Sequence, residues 1–138
     1  MSVLQVLFGF QGRIRRLQWW LASIGAFFAT LVAIFLLTFV VLMVYRGNPE
    51  EMPDGLKAAL GAGILLFYVL LVWMQLAIAV KRYHDRDHTG FWVLITLIPL
   101  GGIWAFIELG FLDGTQGPNR FGPSPKGIGG TDLARVFS

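Results

Sequence analysis

The chain has 138 residues, enough for one domain. Hydrophobic residues make up 56% of it and charged residues 14%, against roughly 25% charged in ordinary soluble domains. A disordered chain and an ordinary soluble domain are thereby excluded, because so few charges cannot cover the surface of a small soluble protein. The net charge is +3, and the absence of cysteine removes disulfides, iron–sulfur clusters and thiol catalysis.

Residues 1–18 start apolar (Val3, Leu4, Val6, Leu7, Phe8, Phe10) and then carry Arg13, Arg15 and Arg16. Such a segment can lie along a membrane surface. Residues 19–45 follow, 27 in a row without a charge. That exceeds the roughly 20 apolar residues a spanning helix needs. It is also too long for a signal-peptide core, so a retained span is expected. Ala22, Ala26, Ala29 and Ala33 recur along it at helical spacing, a small-residue stripe suited to close helix contact. Residues 46–57 are a polar, turn-rich loop. A second run, 58–80, has 23 uncharged residues, with the small pairs Ala58–Ala62 and Ala59–Gly63 and one notable polar residue, Gln75. Residues 81–90 (KRYHDRDHTG) are the densest charged stretch. A third run, 91–112, has 22 residues and a single charge, Glu108. The tail, 113–138, is rich in Gly and Pro and is expected to be turn or extended. Trp19, Trp20, Tyr45, Tyr83 and Trp92 lie at the edges of the runs, where amphipathic rings favour the membrane interface.

The expected architecture is all-α: one membrane domain over 1–138 with three spans, about 19–45, 58–80 and 91–112. The third is kinked, or else re-entrant, at Pro99 to Gly102, since proline followed by paired glycine bends or breaks a helix. Three full spans put Arg13, Arg15, Arg16, Lys81, Arg82 and Arg86 on one side. Arg46, Lys57, Arg120, Lys126 and the distant Arg135 fall on the other. The positive-inside rule then favours a cytoplasmic N-terminus and an external tail. A re-entrant third run would instead return the tail to the N-terminal side.

Three polar segments resemble, in order, a bacterial inner-membrane family known as domain of unknown function 805, the YhaH-type proteins. GFQGRIRRLQWW at 9–20 is similar to its Gly-Arg-x-x-Arg followed by an aromatic pair. KRYHDRDHTGFWVLITLIPLGG at 81–102 is similar to its Arg-Leu-His-Asp, aromatic, and apolar-Ile-Pro run. GTQGPNRFGPSPKG at 114–127 is similar to its Gly-x-x-Gly-x-Asn-Arg-aromatic-Gly ending. The resemblance implies a small polytopic protein of the bacterial inner (plasma) membrane and implies no activity.

Candidate functional residues are Arg13, Arg16, Arg82, His84, Asp85, Glu108, Asn119 and Arg120. If the helix before the second loop continues, His84 and His88 share a face four residues apart. That spacing suits Zn²⁺, with Asp85 or Asp87 as a third ligand. The plainer reading, which is preferred, pairs the two aspartates with neighbouring bases in a hydrated loop. Arg13 or Arg16 is expected to pair with Asp85 across the same membrane face. Glu108, an acid within a span, points to proton or ion handling by default. In straight spans it lies far from Gln75, so the two meet only if the third run folds back. Residues 117–123 read as a fixed turn with Phe121 as anchor, or as an anion cradle with Arg120.

No P-loop, dinucleotide fingerprint, HExxH or nucleophile elbow is present, so no cofactor is expected. The basic residues sit at span ends and read as contacts to a lipid bilayer with anionic headgroups, not to nucleic acid. The leading expectation is a non-enzymatic membrane protein acting as a homo-oligomer or through a membrane-protein partner. The alternatives are a small oligomeric transporter or channel using Glu108 and Gln75, and a metal-dependent membrane enzyme using His84 and Asp85.

Overall fold

The structure is a computed structural model and describes residues 1–46 and 48–127. Residues 128–138, including Arg135, lie outside it. Among the described residues the regular secondary structure is helical except for one isolated bridge, Asn119–Gly122, with turns and coil between the helices and after Gly110. The order is α1 (Val3–Phe8), α2 (Arg16–Val44), a 3-10 turn (Pro49–Glu51), α3 (Asp54–Asp85), a 3-10 helix (Gly90–Leu97) and α4 (Gly101–Gly110).

Helices α2 and α3 are long and apolar enough to cross a membrane. Their 29 and 32 residues correspond to roughly 44 and 48 Å at 1.5 Å per residue, beyond the roughly 30 Å hydrocarbon core. They run antiparallel, with Gln75 Nε2 near the end of α3 donating to Ser23 O near the start of α2 at 3.0 Å. On α2, Ala26 is buried against this contact, Ala22 and Ala33 are half-buried, and Thr30 completes the face. Ala29 is exposed, although at these spacings the four alanines stay within roughly 60° of one another around the helix axis, on one face. Ala58, Ala59 and Ala62 of α3 are exposed as well.

The run 91–112, expected as a third crossing, is a hairpin. Its first limb is eight residues of 3-10 helix and its second is ten residues of α-helix. At about 2.0 and 1.5 Å per residue they reach roughly 16 and 15 Å, half of what a crossing needs. The reversal is local chemistry. Pro99 cannot donate, Leu100 takes a left-handed φ of +66°, and Gly101 N donates to Ile98 O at 2.8 Å. A Cβ at residue 101 would lie 1.8 Å from Ile95 O, so only glycine fits where the limbs meet. The run therefore folds back on itself instead of continuing as one kinked helix, and α4 ends beside the start of α2 and the end of α3.

That common end is the polar cap, and it inverts the usual core. The buried side chains include Ile14, Ile78 and Leu109 but also Arg13, Lys81, Arg82, Asp85 and Glu108. The outer faces are apolar: Phe35, Leu97, Leu100 and Trp104 are all more than half exposed. Lipid is the natural solvent for such faces.

Candidate functional site

Helix α3 ends in a Schellman motif. Arg86 is the cap, Asp87 takes φ +62°, His88 N donates to Tyr83 O and Asp87 N donates to His84 O, both at 3.0 Å. Glycine is usual at the left-handed position, but aspartate tolerates it. The turn separates His84 from His88, so the two do not share a helix face. His84 stacks on Phe121 with ring centroids 4.0 Å apart and 5° between planes, while its Nδ1 lies 3.3 Å from Gly12 O. His88 instead packs on Trp92 and sets Nε2 3.3 Å from Glu108 Oε1. Among the described residues no three potential ligand side chains converge.

Asp85 is the centre of the cap. Its Oδ1 accepts from Arg13 Nε at 3.1 Å and pairs with Arg13 Nη2 at 3.0 Å; its Oδ2 pairs with Arg82 Nη1. All three side chains are almost wholly buried. Such charges are tolerated only when the remaining hydrogen-bonding capacity is satisfied. It is. Arg13 Nη1 donates to Gly117 O (2.8 Å) and Gly122 O (3.1 Å), and Nη2 to Thr115 O (2.9 Å) and Thr115 Oγ1 (3.1 Å). One guanidinium therefore binds the end of α3 and three points on the tail. Arg16, the other expected partner of Asp85, pairs with Asp113 at 3.0 Å.

The remaining donors cap helix ends, whose last four carbonyls have no partner within the helix. At the end of α4, Arg82 Nε donates to Leu109 O (2.8 Å) and Trp20 Nε1 to Gly110 O (3.2 Å). Arg16 Nη1 donates to Phe111 O (2.8 Å), Arg82 Nη2 to Leu112 O and Arg86 Nη1 to Asp113 O (2.9 Å). At the end of α3, Thr115 donates twice to Asp85 O, from its amide at 2.8 Å and its hydroxyl at 3.0 Å. Asn119 Nδ2 donates to His84 O at 2.8 Å. Asn119 Oδ1 in turn accepts from Phe121 N at 2.9 Å, which fixes the tail turn. Arginine at two converging helix C-termini is also favoured by their partial negative charge. Gly114 has to be glycine: a Cβ there would stand 1.9 Å from Asp85 Oδ2.

Glu108 lies at the base of the hairpin rather than deep in a span. Its Oε1 accepts from Arg86 Nε at 3.0 Å, and its Oε2 is buried without a protein partner. Gln75 is engaged elsewhere, with Ser23, so folding back does not pair it with Glu108. Arg120 Nε lies 3.3 Å from Asp87 Oδ1, and its guanidinium covers the Phe121 ring at 4.9 Å. Asp113, on the surface, bonds Lys126 Nζ at 3.0 Å; that bond, with Arg16 nearby, holds its carboxyl below the ordinary 3.8. The space between Asp85, Gly114, Thr115 and residues 124–126 is about 10 Å³, room for roughly one water at most.

Sequence reasoning named Arg13, Arg82, Asp85, Asn119 and Arg120 and, of their contacts, expected Asp85 to pair with Arg13 or Arg16; it did not single out Thr115, Gly114 or Lys81 as site residues. The missing signal was the demand of helix carbonyls for donors. Thr115 and Asn119, four apart in a glycine-rich turn, are residue types that meet it. Lys81 Nζ donates to Gln5 O at 3.2 Å and to Gly9 O, which ties α1 over the end of α3.

Comparison with known proteins covers the centre of the cap, from Arg13 to Gly122. A family profile described as "Protein of unknown function (DUF805)" matches residues 7–123. The chain is similar to inner membrane protein YhaH of Escherichia coli K12, with 34% identity over 128 residues, 91% of this chain and 94% of that protein. It is also similar to inner membrane protein YhaI of the same strain, at 28% identity over 91% of this chain and 93% of the relative. A third relative is the uncharacterized protein YiiR, at 29% identity over 153 residues, 93% of each chain. No solved structure matches.

Proposed function

The chain belongs to the DUF805 family of proteins of unknown function, and we propose that it is a non-enzymatic inner-membrane protein acting through contacts of its lipid-facing helices. One observation carries this reading: the Arg13–Arg82–Asp85 cluster at the centre of the cap saturates itself. Arg13, Arg82 and Asp85 are spent on one another and on backbone carbonyls, and the space beside them is too small for a substrate. The outer faces of α2, α3 and the hairpin are the surface left for a partner, either a second copy or another membrane protein. A photo-crosslinking residue at Trp104 on the hairpin, and separately at Phe35 on α2, tests it in cells. A discrete protein adduct at either position is the expected result. Adducts to lipid alone at both positions would overturn the reading.

In this proposal the N-terminus, the cap and the tail are cytoplasmic. Support comes from recounting the charges on the folded chain. Arg120 and Lys126 pair with Asp87 and Asp113 at the cap. Eight basic residues (Arg13, Arg15, Arg16, Lys81, Arg82, Arg86, Arg120 and Lys126) then share one end, against Arg46 and Lys57 at the other. The bias is far steeper than three straight spans allow, and positive-inside orientation follows it. The absence of native cysteine makes labelling clean. Single cysteines at Gln11 and Ser124 should resist a membrane-impermeant maleimide in intact cells, while one at Asn48 should react. Opposite accessibility of Gln11 and Ser124 would restore the third crossing.

A further inference from the structure

The polar cap is closed, but the apolar body beside it is not. Between α1, α2 and α3 runs an open groove of about 500 Å³. Helix α1 contributes Val6 and Leu7, α2 contributes Ala22, Gly25 and Ala29, and α3 contributes Met74. Ala22, Ala26 and Ala29 of the alanine stripe therefore line this groove, and with Gly25 they make its concave floor. A Cβ at residue 25 would meet nothing within 4 Å.

We propose that this groove binds one acyl chain of an anionic phospholipid, with the phosphate held by Arg15. Three observations choose this occupant. The floor runs from Gln18 to Ala29, twelve residues of helix or roughly 16 Å from first to last. That is close to half of the roughly 30 Å hydrocarbon core, the depth one leaflet's chain reaches. The walls are the two membrane-crossing helices and the surface segment α1, so a lipid chain is the apolar species at hand. At the polar end, Arg15 caps α2 one turn before Gln18, is exposed, and its guanidinium has no acceptor or acidic partner among the described residues. Its neighbours differ: Arg13 is bound to Asp85 and Arg16 to Asp113. Of the three arginines in segment 13–16, then, two build the protein and the third is exposed one turn before Gln18 at the groove's polar end. This inference does not need a protein partner, so it stands or falls apart from the crosslinking result.

The test uses the full chain in mild detergent. Bound lipid is measured by native mass spectrometry after adding phosphatidylglycerol or phosphatidylcholine, and thermal unfolding is followed in parallel. Wild type should retain phosphatidylglycerol preferentially and melt higher with it, as any ligand of the folded state requires. Gly25→Leu fills the floor and should abolish that retention. Arg15→Gln should cut it about fivefold, the loss expected for one basic contact to an anionic surface. An unchanged lipid-free melting temperature in each variant shows that the fold survives. Arg15→Gln, on an exposed side chain, keeps the test decisive if Gly25→Leu fails to fold. Equal retention of both lipids, or loss in Arg15→Gln with none in a folded Gly25→Leu, would overturn the proposal. So would a dimer that Gly25→Leu separates while lipid retention stays the same, since a second copy would then own the groove.

Discussion

The two ends of the α2–α3 pair use charge in opposite ways. At the loop end, the polar contacts are local and exposed: Asn48 Nδ2 to Glu51 Oε1 at 2.8 Å, and Lys57 Nζ to Asp54 Oδ1 at 3.5 Å, each between residues three apart. At the cap end, Arg13 reaches Asp85 72 positions away and Gly122 109 positions away, and the Asp85 pair is buried. The first kind of contact stops helices. The second joins four segments of chain, and it does so without a hydrophobic core of ordinary size. In a protein whose apolar side chains face lipid, burial of those side chains cannot drive the tail onto the helices. Hydrogen bonds in a shielded cap take over that task.

This contrast can be broken most sharply at Asp85. Asp85→Ala leaves two buried guanidiniums facing each other and should cost about 3–5 kcal/mol. The check is thermal unfolding in detergent, together with protease release of the tail at residues 124–127. Arg13→Ala should behave alike. Charge exchange should fail as well, because Arg13 also serves Thr115, Gly117 and Gly122, and Asp85 also serves Arg82. Arg16→Asp is accordingly not rescued by Asp85→Arg, since Arg16 pairs with Asp113. Recovery in that double variant would show that the cap is assembled differently.

Next come the glycines. Gly114→Ala drives a methyl into Asp85 and Gly101→Ala drives one into Ile95 O. Each should destabilise by about 1–3 kcal/mol or more, as overpacking does. Gly61→Ala, where a Cβ meets nothing within 4 Å, should show no loss. Equal effects at all three positions would erase the distinction between cap and body. A smaller loss, about 1–2 kcal/mol, is expected for Asn119→Ala, which strips a donor from His84 O. At the loop end, Lys57→Ala should leave the melting temperature unchanged, since exposed pairs contribute little.

The last of the non-zero effects is pH-dependent. Asp113 titrates below its ordinary value because Lys126 bonds its carboxylate. A depressed folded value means that this contribution is present at neutral pH and above the ordinary value, and is lost as pH falls through the folded one. Lys126→Ala should therefore flatten the acid limb of tail release, read by protease sensitivity between neutral pH and below 3.8. An unchanged limb would assign acid release to another carboxylate.

Much of this protein was legible one residue at a time. Two uncharged runs long enough to cross a bilayer, and the all-helical class, follow from length and hydropathy alone, because lipid requires each segment to satisfy its own backbone. Pro99 and the following glycines marked the place where the third run fails. What composition could not decide was whether that failure is a kink or a reversal. The choice depends on Gly101 packing against Ile95 O and on a free α4 end finding Arg16, Trp20 and Arg82. The end of α3 was hidden for a related reason: Asp87 holds a left-handed turn that a reader expects of glycine, and so His84 and His88 part company. Charge pairing was harder still. Arg13, Arg15 and Arg16 look equivalent in the sequence, and only the folded chain gives one to Asp85, one to Asp113 and leaves the third free among the described residues. Hydropathy is a property of each segment, whereas the saturation of a buried charge is a property of the four segments that meet around it.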